Sequence, residues 1–387
     1  MIHLRLGWVV AVLVAAAFPL IYYLLACFAA LAFSRRAKAQ TSPASTFEPP
    51  VSILKPVHGV DFASYENYAS FCNQDYPQYE ILFAVNDESD PATTVVQRLI
   101  ADYPQRHISL FIGAEYLGAN KKVNNLVRLT CEAKHEILAL SDGDVRVGPK
   151  YLRNVVTPLQ DSNVGAVTSF YRGIAQKNLY AELEAVGASS TFFAGVFMAV
   201  WTEGVKFALG ASIATTKTWM RKIGGFEAIA AFLADDYEIG NRIAQSGGQV
   251  LLSHETVSTM YPAQTLRGFC QHQLRWARTV RLCRPASYAA LLFTQGLPWV
   301  IAAALVSPAP WIAASYLLMY LMLRLAMAYL VGVYVVGDEV LRRRLWLVPC
   351  WDAIHFVVWA TSFTSNRVVW GNIEYVVDRG QMKPVAP

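Results

Sequence analysis

The chain has 387 residues, of which 55% are hydrophobic and 16% charged, and a formal net charge of +5. The basic residues mostly flank apolar segments, and no zinc-finger, helix-turn-helix or RNA-binding pattern is visible, so we expect no nucleic-acid partner and favour an anionic bilayer. The six cysteines lack CxxC spacing, as is typical of reduced thiols in a cytosolic domain. Composition therefore predicts a membrane protein and leaves the oligomeric state open.

Residues 7–33 carry no charge and are long enough to cross about 30 Å of hydrocarbon, which predicts a transmembrane helix within residues 1–34. Three basic residues follow this run closely: Arg35, Arg36 and Lys38. A signal peptide would end at a small-residue cleavage site instead. Because only Arg5 precedes the helix, the positive-inside rule predicts that a linker at 35–50 and the region beyond it are cytosolic.

A second apolar block occupies residues 286–365, with predicted spans at 287–307 and 309–336 and a weaker third segment at 345–363. Two ionisable residues stand inside the third segment: Asp352 and His355. At that depth such residues face a protein interior or indicate an interfacial or re-entrant segment. A spanning segment would leave the tail, 366–387, outside the cell, whereas the favoured interfacial alternative leaves it cytosolic.

The region 51–285 reads as an α/β nucleotide-binding domain, with a basic amphipathic helix near 265–283 that suits an anionic membrane surface. Short apolar runs alternate here with helix-length segments, and they predict five strands at 51–54, 80–85, 108–112, 136–140 and 164–169. This rhythm is typical of a parallel, helix-covered sheet, whose ligands bind beyond the carboxyl ends of the strands.

Asp142 and Asp144 directly follow the predicted fourth strand. Carboxylates suit Mg²⁺ or Mn²⁺, and Mg²⁺ prefers one or two carboxylates together with phosphate oxygens. The Asp-x-Asp pair therefore predicts a metal site for a nucleotide diphosphate, although the same pattern also occurs in solvated turns and calcium loops.

Polar residues follow other predicted strands too, with Lys55 after the first, Asp87 and Asp90 after the second, and Lys122 after the third. Asp90 also suits an N-cap of the helix predicted from residue 92. Further along, Asp235 and Asp236 are either helix-capping residues or a source of a general base.

Taken in order, these motifs resemble the D, D, D, (Q/R)xxRW set of membrane-bound inverting glycosyltransferases of GT-A fold, and Arg275-Trp276 is the last of them. Four further motifs are similar to the ceramide glucosyltransferase family, which includes bacterial hopanoid-biosynthesis enzymes: Ser52-Ile53-Leu54-Lys55-Pro56, Asn73-Gln74-Asp75-Tyr76-Pro77, Lys122-Val123-Asn124-Asn125-Leu126 and Arg221-Lys222-Ile223-Gly224-Gly225-Phe226. One position departs from the pattern, because His272 stands where (Q/R)xxRW begins.

The resemblance implies a UDP-sugar donor and Mg²⁺ or Mn²⁺ held by Asp142 and Asp144. It implies nucleotide contacts from a further set of residues: Lys55, Asp87, Asp90, Lys122, Asn125 and Asp142. Asp236 would be the general base of a single inverting displacement, Arg275 would steady the diphosphate, and Trp276 would stack near the acceptor.

The acceptor implied is a membrane lipid of ceramide, hopanoid or diacylglycerol type, and the sugar is glucose or N-acetylglucosamine. The apolar stretch 191–209 either lines the path of this lipid or is an ordinary core helix. The competing functions are a polyprenyl-phosphate sugar transferase, a polysaccharide synthase and a catalytically silent nucleotide-sugar sensor or scaffold. The expected location is a bacterial inner membrane, or a Golgi or ER membrane in a eukaryote, with the catalytic domain in the cytosol.

Overall fold

The computed structural model describes residues 2–39, 46–371 and 373–385. Part of the predicted linker, residues 40–45, and the side chains of Arg5 and Lys38 lie outside the described residues. The chain forms two compact units. We call Thr41–Arg172, Glu203–Pro262 and Ile373–Pro387 the sheet unit. We call Met1–Gln40, Gly173–Thr202 and Ala263–Asn372 the helical unit.

The described strands are β1 Val51–Pro56, β2 Tyr79–Val85, β3 His107–Ile112, β4 Ile137–Ser141, β5 Val145–Arg146, β6 Val164–Ala175, β7 Ser212–Thr216, β8 Gln249–Tyr261, β9 Arg367–Trp370, β10 Ile373–Asp378 and β11 Gln381–Pro384. The described α-helices are α1 Ile2–Ala39, α2 Ser64–Cys72, α3 Ala92–Asp102, α4 Lys121–Glu132, α5 Tyr151–Val156, α6 Leu179–Gly187, α7 Phe193–Glu203, α8 Lys217–Lys222, α9 Asp235–Gln245, α10 Leu266–Cys283, α11 Pro285–Ala290, α12 Gly296–Val306, α13 Pro310–Ala328, α14 Glu339–Arg344 and α15 Val348–Ser362.

The sheet unit is built on an eight-stranded sheet of order β3-β2-β1-β4-β7-β6-β8-β5. The first four strands are parallel, and β1 and β2 are buried along their whole length, including the polar residues Ser52, Lys55 and Glu80. The chain proceeds from β1 outward to β3 on one side and returns to β4 on the other. The junction of β1 and β4 is therefore the topological switch point, where ligands of such sheets bind.

All five predicted strands are present, which confirms the α/β fold class. The expectation of a parallel sheet is wrong beyond β4, because β7 runs antiparallel to both β4 and β6. Within the predicted domain 51–285, residues 173–202 and 263–285 belong to the helical unit. The predicted domain boundaries stay predictions. Apolar runs mark a strand but not its direction, and so the sequence left the antiparallel half undetected.

Three described helical segments are long and apolar enough to cross a membrane: Gly7–Arg36, Leu179–Glu203 and Pro310–Val335. The pair Pro285–Thr294 and Gly296–Val306, bent by 50°, is a fourth if it counts as one span. The segment Leu179–Glu203 overlaps the apolar stretch 191–209, which was expected to line the path of the lipid or to be an ordinary core helix. Residues of the sheet unit precede and follow this part of the helical unit in the chain.

The C-terminal residues Ile373–Pro387 belong to the sheet unit, whereas Ala263–Asn372 belong to the helical unit. Helix α15 has 15 residues and spans about 22 Å, less than the hydrocarbon thickness, and it is not among the described segments long enough to cross a membrane. The side of the membrane on which the tail lies stays a prediction.

A buried ion pair organises the interior of the helical unit. Arg324 on α13 is 2% exposed and binds Asp352 on α15 through two nitrogens, with N···O distances of 2.7 and 2.9 Å. The same guanidinium donates to the carbonyl of Ser190 at 3.0 Å and to the hydroxyl of Thr191 at 2.9 Å, both in the π-helical turn Ala188–Phe192 that joins α6 to α7. Tyr320 donates to the Asp352 carboxylate at 2.8 Å. Asp352, one of the two ionisable residues that made this segment doubtful as a span, is thus paired with Arg324 and Tyr320.

Replacing Asp352 with Ala leaves the Arg324 guanidinium buried without its counter-ion, so we expect the free energy of unfolding to fall by about 3–5 kcal/mol. Denaturation of the detergent-solubilised full chain measures the change. The control is Glu339→Ala, which removes the carboxylate of an exposed pair with Arg342 and should cost less than about 1 kcal/mol. Equal stability of the two variants would contradict a structural role for the buried pair.

Candidate active site

Lys55, at the end of β1, joins the two strands of the switch point. Its side chain is completely buried, donates to the carbonyl oxygen of Asp142 at 2.8 Å, and lies 3.9 Å above the ring of Phe71. Burial lowers the pKa of Lys55 to about 7, although the nearby carboxylates of Asp144 and Asp142 oppose this change. Lys55 therefore fixes the backbone of the Asp-x-Asp loop from beneath.

Lys122 lies between acidic groups from two separate segments. Its ammonium nitrogen is 2.7 Å from Asp142 Oδ1 and 2.9 Å from Asp235 Oδ2. Burial opposes the charged ammonium, but the carboxylates of Asp142, Asp235 and Asp236 outweigh it and raise the pKa of Lys122. Lys122 is in the first turn of α4, whose preceding residue, Asn120, caps the helix by accepting a hydrogen bond from the Val123 amide at 3.1 Å.

Asp236 faces the same space as Asp142. A Cβ atom placed on Gly210 would lie 3.0 Å from Asp236 Oδ2 and 3.5 Å from Asp142 Oδ2, so both carboxylates crowd this glycine. Burial, followed by repulsion from Asp235, raises the pKa of Asp236 to about 6. The other oxygen of Asp236 accepts a hydrogen bond from the Tyr237 amide at 2.8 Å. The arrangement leaves one oxygen of a weakly acidic carboxylate directed toward Gly210.

Helix α9 begins at Asp235, and Ala234 before it provides no side-chain cap. Neither acidic residue therefore has the N-cap position that the sequence suggested as an alternative. Asp235 is 7% exposed and is engaged by Lys122, whereas Asp236 is not in an ion pair among the described residues. The structure thus gives the two neighbours different environments.

Asp144 completes the acidic rim. Removal of its carboxyl from water and repulsion from Asp142 raise the pKa of Asp144 to about 7. In the described part of the chain, no three His, Cys, Asp or Glu side chains converge as a metal cage. Two carboxylate residues beside a cleft fit Mg²⁺ or Mn²⁺ that takes its remaining ligands from phosphate and water. The ammonium of Lys122 beside Asp142 supports this fit, because it shows that the site accommodates positive charge.

Asp87 and Asp90, which both lie in the loop after β2, have different environments. Asp87 is exposed, and its carboxylate accepts hydrogen bonds from the Ser89 amide and hydroxyl, which lower its pKa. Asp90 is buried, accepts from the amides of Gly59 and Ala92, both at 2.9 Å, and contacts His58 Nδ1 at 2.6 Å. Asp87 thus remains accessible to a ligand, while Asp90 joins the loop after β1 to the start of α3.

The other residues predicted to bind nucleotide or to act in catalysis are divided between the two units. Asn125 is 2% exposed on α4, and its Oδ1 has no hydrogen-bond partner among the described residues. Arg275 and Trp276 are on α10 in the helical unit, where Arg275 lies 5.9 Å from the ring centroid of Trp370. His272 contacts the buried carboxylate of Glu184 and lies 5.1 Å from the Trp276 ring. The roles predicted for Arg275 and Trp276 stay predictions.

Asp142 and Asp235 border a small open cleft. Its lining combines the end of β1, helix α4, the end of β4 and the start of α9: Pro56, Lys122, Leu126, Leu140, Ser141, Asp142, Gly210, Ile213, Asp235 and Ile239. Sequence reasoning missed Gly210 and Asn120, because neither belongs to a charged motif. The N-cap residue type of Asn120 before an apolar-periodic segment was the available signal.

The chain is similar to known proteins both in sequence and in fold. The sequence model of glycosyl transferase family 21 matches residues 11–383. Ceramide glucosyltransferase 3 of Caenorhabditis elegans is 26% identical over 236 residues, which cover 59% of this chain and 50% of that protein. Ceramide glucosyltransferase of Candida albicans is 35% identical over 124 residues, covering 28% and 22%. The chain thus spans about half the length of the first relative and less of the second.

Among solved structures, a mannosyltransferase from Pyrobaculum calidifontis in complex with GDP-Man and Mn²⁺ has a TM-score of 0.50 and 18% identity. The match covers 90% of this chain and 98% of the other. A likeness at this identity shows the fold alone, and it confirms the GT-A fold expected from the sequence.

If Asp142 binds a divalent cation, as the sequence predicts, Lys122 should compete with that cation for the Asp142 oxygens. Lys122→Met should then bind Mn²⁺ without nucleotide at least ~10-fold more tightly than the unmodified chain. Electron paramagnetic resonance of free Mn²⁺ measures the affinity. The matched control is Lys121→Met, which removes the same charge from an exposed neighbour. Equal Mn²⁺ affinities in the two variants would contradict the competition.

Proposed function

The chain belongs to glycosyl transferase family 21, and we propose that it transfers glucose or N-acetylglucosamine from a UDP-sugar to the hydroxyl of a membrane lipid. The observation that carries the proposal is the convergence of Asp142 and Asp235 on Lys122 beside one cleft at the sheet's switch point, where Asp142 and Asp236 both face Gly210. Mutually repelling carboxylates at one sheet edge fit a site that handles positive charge and a leaving phosphate group.

Transfer expels UDP, and the departing diphosphate gains negative charge. Lys122 carries an ammonium at the cleft and would stabilise this charge when nucleotide enters. Asp142 and Asp144 would hold Mg²⁺ or Mn²⁺, which when bound neutralises phosphate oxygens as a Lewis acid. Asp87, exposed after β2, is proposed to contact the uracil or ribose, and Asp90 to hold the neighbouring loops in place.

Asp236 is the proposed general base. It would take the proton from the acceptor hydroxyl while that oxygen bonds to the anomeric carbon. The bond from this carbon to the UDP oxygen breaks on the opposite face, and its electron pair leaves with UDP. A single displacement of this kind inverts the anomeric centre. The ion pair of Asp235 with Lys122 supports the choice, because it leaves Asp236 as the less engaged neighbour.

A lipid acceptor is supported by the membrane segments of the same chain. Long apolar helices in the same chain would place the enzyme at a bilayer, where an acceptor hydroxyl at the headgroup level is accessible. Ceramide, hopanoid and diacylglycerol lipids all carry such hydroxyls. The basic residues after the first span support a cytosolic sheet unit with access to UDP-sugars.

Membranes that contain the full chain should convert an added ceramide, hopanoid or diacylglycerol to a glycolipid when a UDP-sugar and Mg²⁺ or Mn²⁺ are supplied. Mass analysis of the extracted lipids identifies sugar and acceptor. Asp144→Ala should abolish transfer, whereas Asp161→Ala, which removes an exposed carboxylate of the same unit, should not. Full activity in excess EDTA would refute the metal, and no glycolipid with any UDP-sugar would refute the function.

Replacement of the base distinguishes Asp236 from its neighbour. Asp236→Asn should lower turnover at least ~10²-fold while donor binding, measured by calorimetry, persists. Asp235→Asn should have the smaller effect on turnover, because its carboxylate binds Lys122. The base must be deprotonated, so the rate should rise with pH through about 6, the raised pKa of Asp236. If Asp235→Asn alone is inactive, the two roles are exchanged.

A further inference from the structure

The C-terminal strands β10 and β11 form a tight hairpin within the sheet unit. They pair antiparallel, and Asp378 faces Gln381 across a two-residue turn. The turn residues Arg379 and Gly380 have φ values of 48° and 83°, the combination found in hairpin turns whose twist matches the strands. The inner side chains, Tyr375, Val377 and Met382, are all at least 96% buried. The hairpin is therefore a packed element of the unit.

The hairpin binds the segment that leads into the acidic pair. The amide of Met382 donates to the carbonyl of Ala231 at 2.7 Å, and the amide of Leu233 donates to the carbonyl of Gly380 at 3.0 Å. Phe232 and Gln381 are bridged as antiparallel partners. Residues 231–233 thus follow the outer edge of β11 like an additional strand, and Asp235 comes two residues later.

The opposite side of the same segment is held by Asn120. Its amide donates to the carbonyl of Ala230 at 2.9 Å, and its side-chain nitrogen donates to the carbonyl of Phe232 at 2.8 Å. The same nitrogen lies 3.4 Å from Asp235 Oδ1. The segment 230–233 is therefore clamped between the start of α4, which carries Lys122, and the C-terminal hairpin.

We propose that the hairpin Ile373–Pro384 positions the acidic pair Asp235 and Asp236. By holding the segment 230–233, the hairpin orients the start of α9 so that Asp235 contacts Lys122 and Asp236 faces Gly210. Helix α9 has no side-chain cap of its own at Ala234, so the backbone ahead of it sets the direction of its first turn. The catalytic part of this inference rests on the proposed function, whereas the structural part does not.

Met382→Pro tests the clamp by removing one hydrogen bond. The Met382 amide points away from β10, and the outward position two residues on is already Pro384, so proline suits this edge of the hairpin. Met382→Ala is the matched control, because it loses the same side chain and keeps the amide. Hydrogen exchange of the full chain, read by mass spectrometry, should be at least ~10-fold faster over residues 230–238 in Met382→Pro than in Met382→Ala.

Kinetics provide the second measurement. Turnover of Met382→Pro, normalised to the fraction that binds UDP-sugar by calorimetry, should fall ~10-fold relative to Met382→Ala, because small misplacement of a reacting group slows the chemistry. KM for the donor should stay within about twofold, since the metal and nucleotide residues are on other segments. A protein that is merely less stable would lose donor-binding sites without this change in normalised turnover.

A second variant avoids dependence on proline. Gly380→Ala imposes a left-handed conformation on alanine and places its Cβ 3.3 Å from the Phe232 ring. Gly371→Ala imposes a similar strain at φ +56°, with no atom within 4 Å. Only Gly380→Ala should accelerate exchange over 230–238 and lower normalised turnover.

Unchanged exchange over 230–238 in both Met382→Pro and Gly380→Ala would overturn the proposal, whatever the activity. Accelerated exchange with unchanged normalised turnover would overturn the positioning role. If exchange accelerates but the unmodified chain glycosylates no lipid, the clamp stands as a structural feature and the proposed function fails instead.

Discussion

The site depends on confining several carboxylates at one edge of a sheet. Two like charges 4 Å apart repel by about 4 kcal/mol at an effective dielectric constant of 20, so an acidic rim needs compensating charge. Lys122 supplies it, with contacts of 2.7 and 2.9 Å to Asp142 and Asp235. At Asp144 and Asp236, burial and then repulsion from a neighbouring carboxylate raise the pKa, to about 7 and about 6. Charge balance thus differentiates carboxylates that look alike in the sequence.

Backbone placement is the second requirement. The carbonyl of Asp142 is held by Lys55, and the segment before Asp235 is held by Asn120 and by the hairpin around Gly380. Each of these contacts is between a main-chain group and a residue far away in the sequence. The carboxylates of the proposed chemistry are therefore oriented by groups that are remote from them in the sequence.

The helical unit also contains charged groups that are buried away from water. Arg324 and Asp352 are both ionisable and both withdrawn from water, which is tolerable only because each finds several partners in the same cluster. The network also ties the π-helical turn at Ala188–Phe192 to α13 and α15. Charge pairing across distant segments is thus a shared principle of both units.

The sequence by itself determined the α/β class, the five strands with their polar ends, the family resemblance and the principal apolar segments, because these depend on local patterns of burial and on contiguous motifs. It also singled out Asp142, Asp144 and Asp236. Tertiary structure decided the antiparallel half of the sheet, the capture of Asp235 by Lys122, the internal use of Asp90 and the return of the C-terminal hairpin to the sheet unit. Each of these joins residues remote in the chain, and no local periodicity or propensity carries the identity of a distant partner.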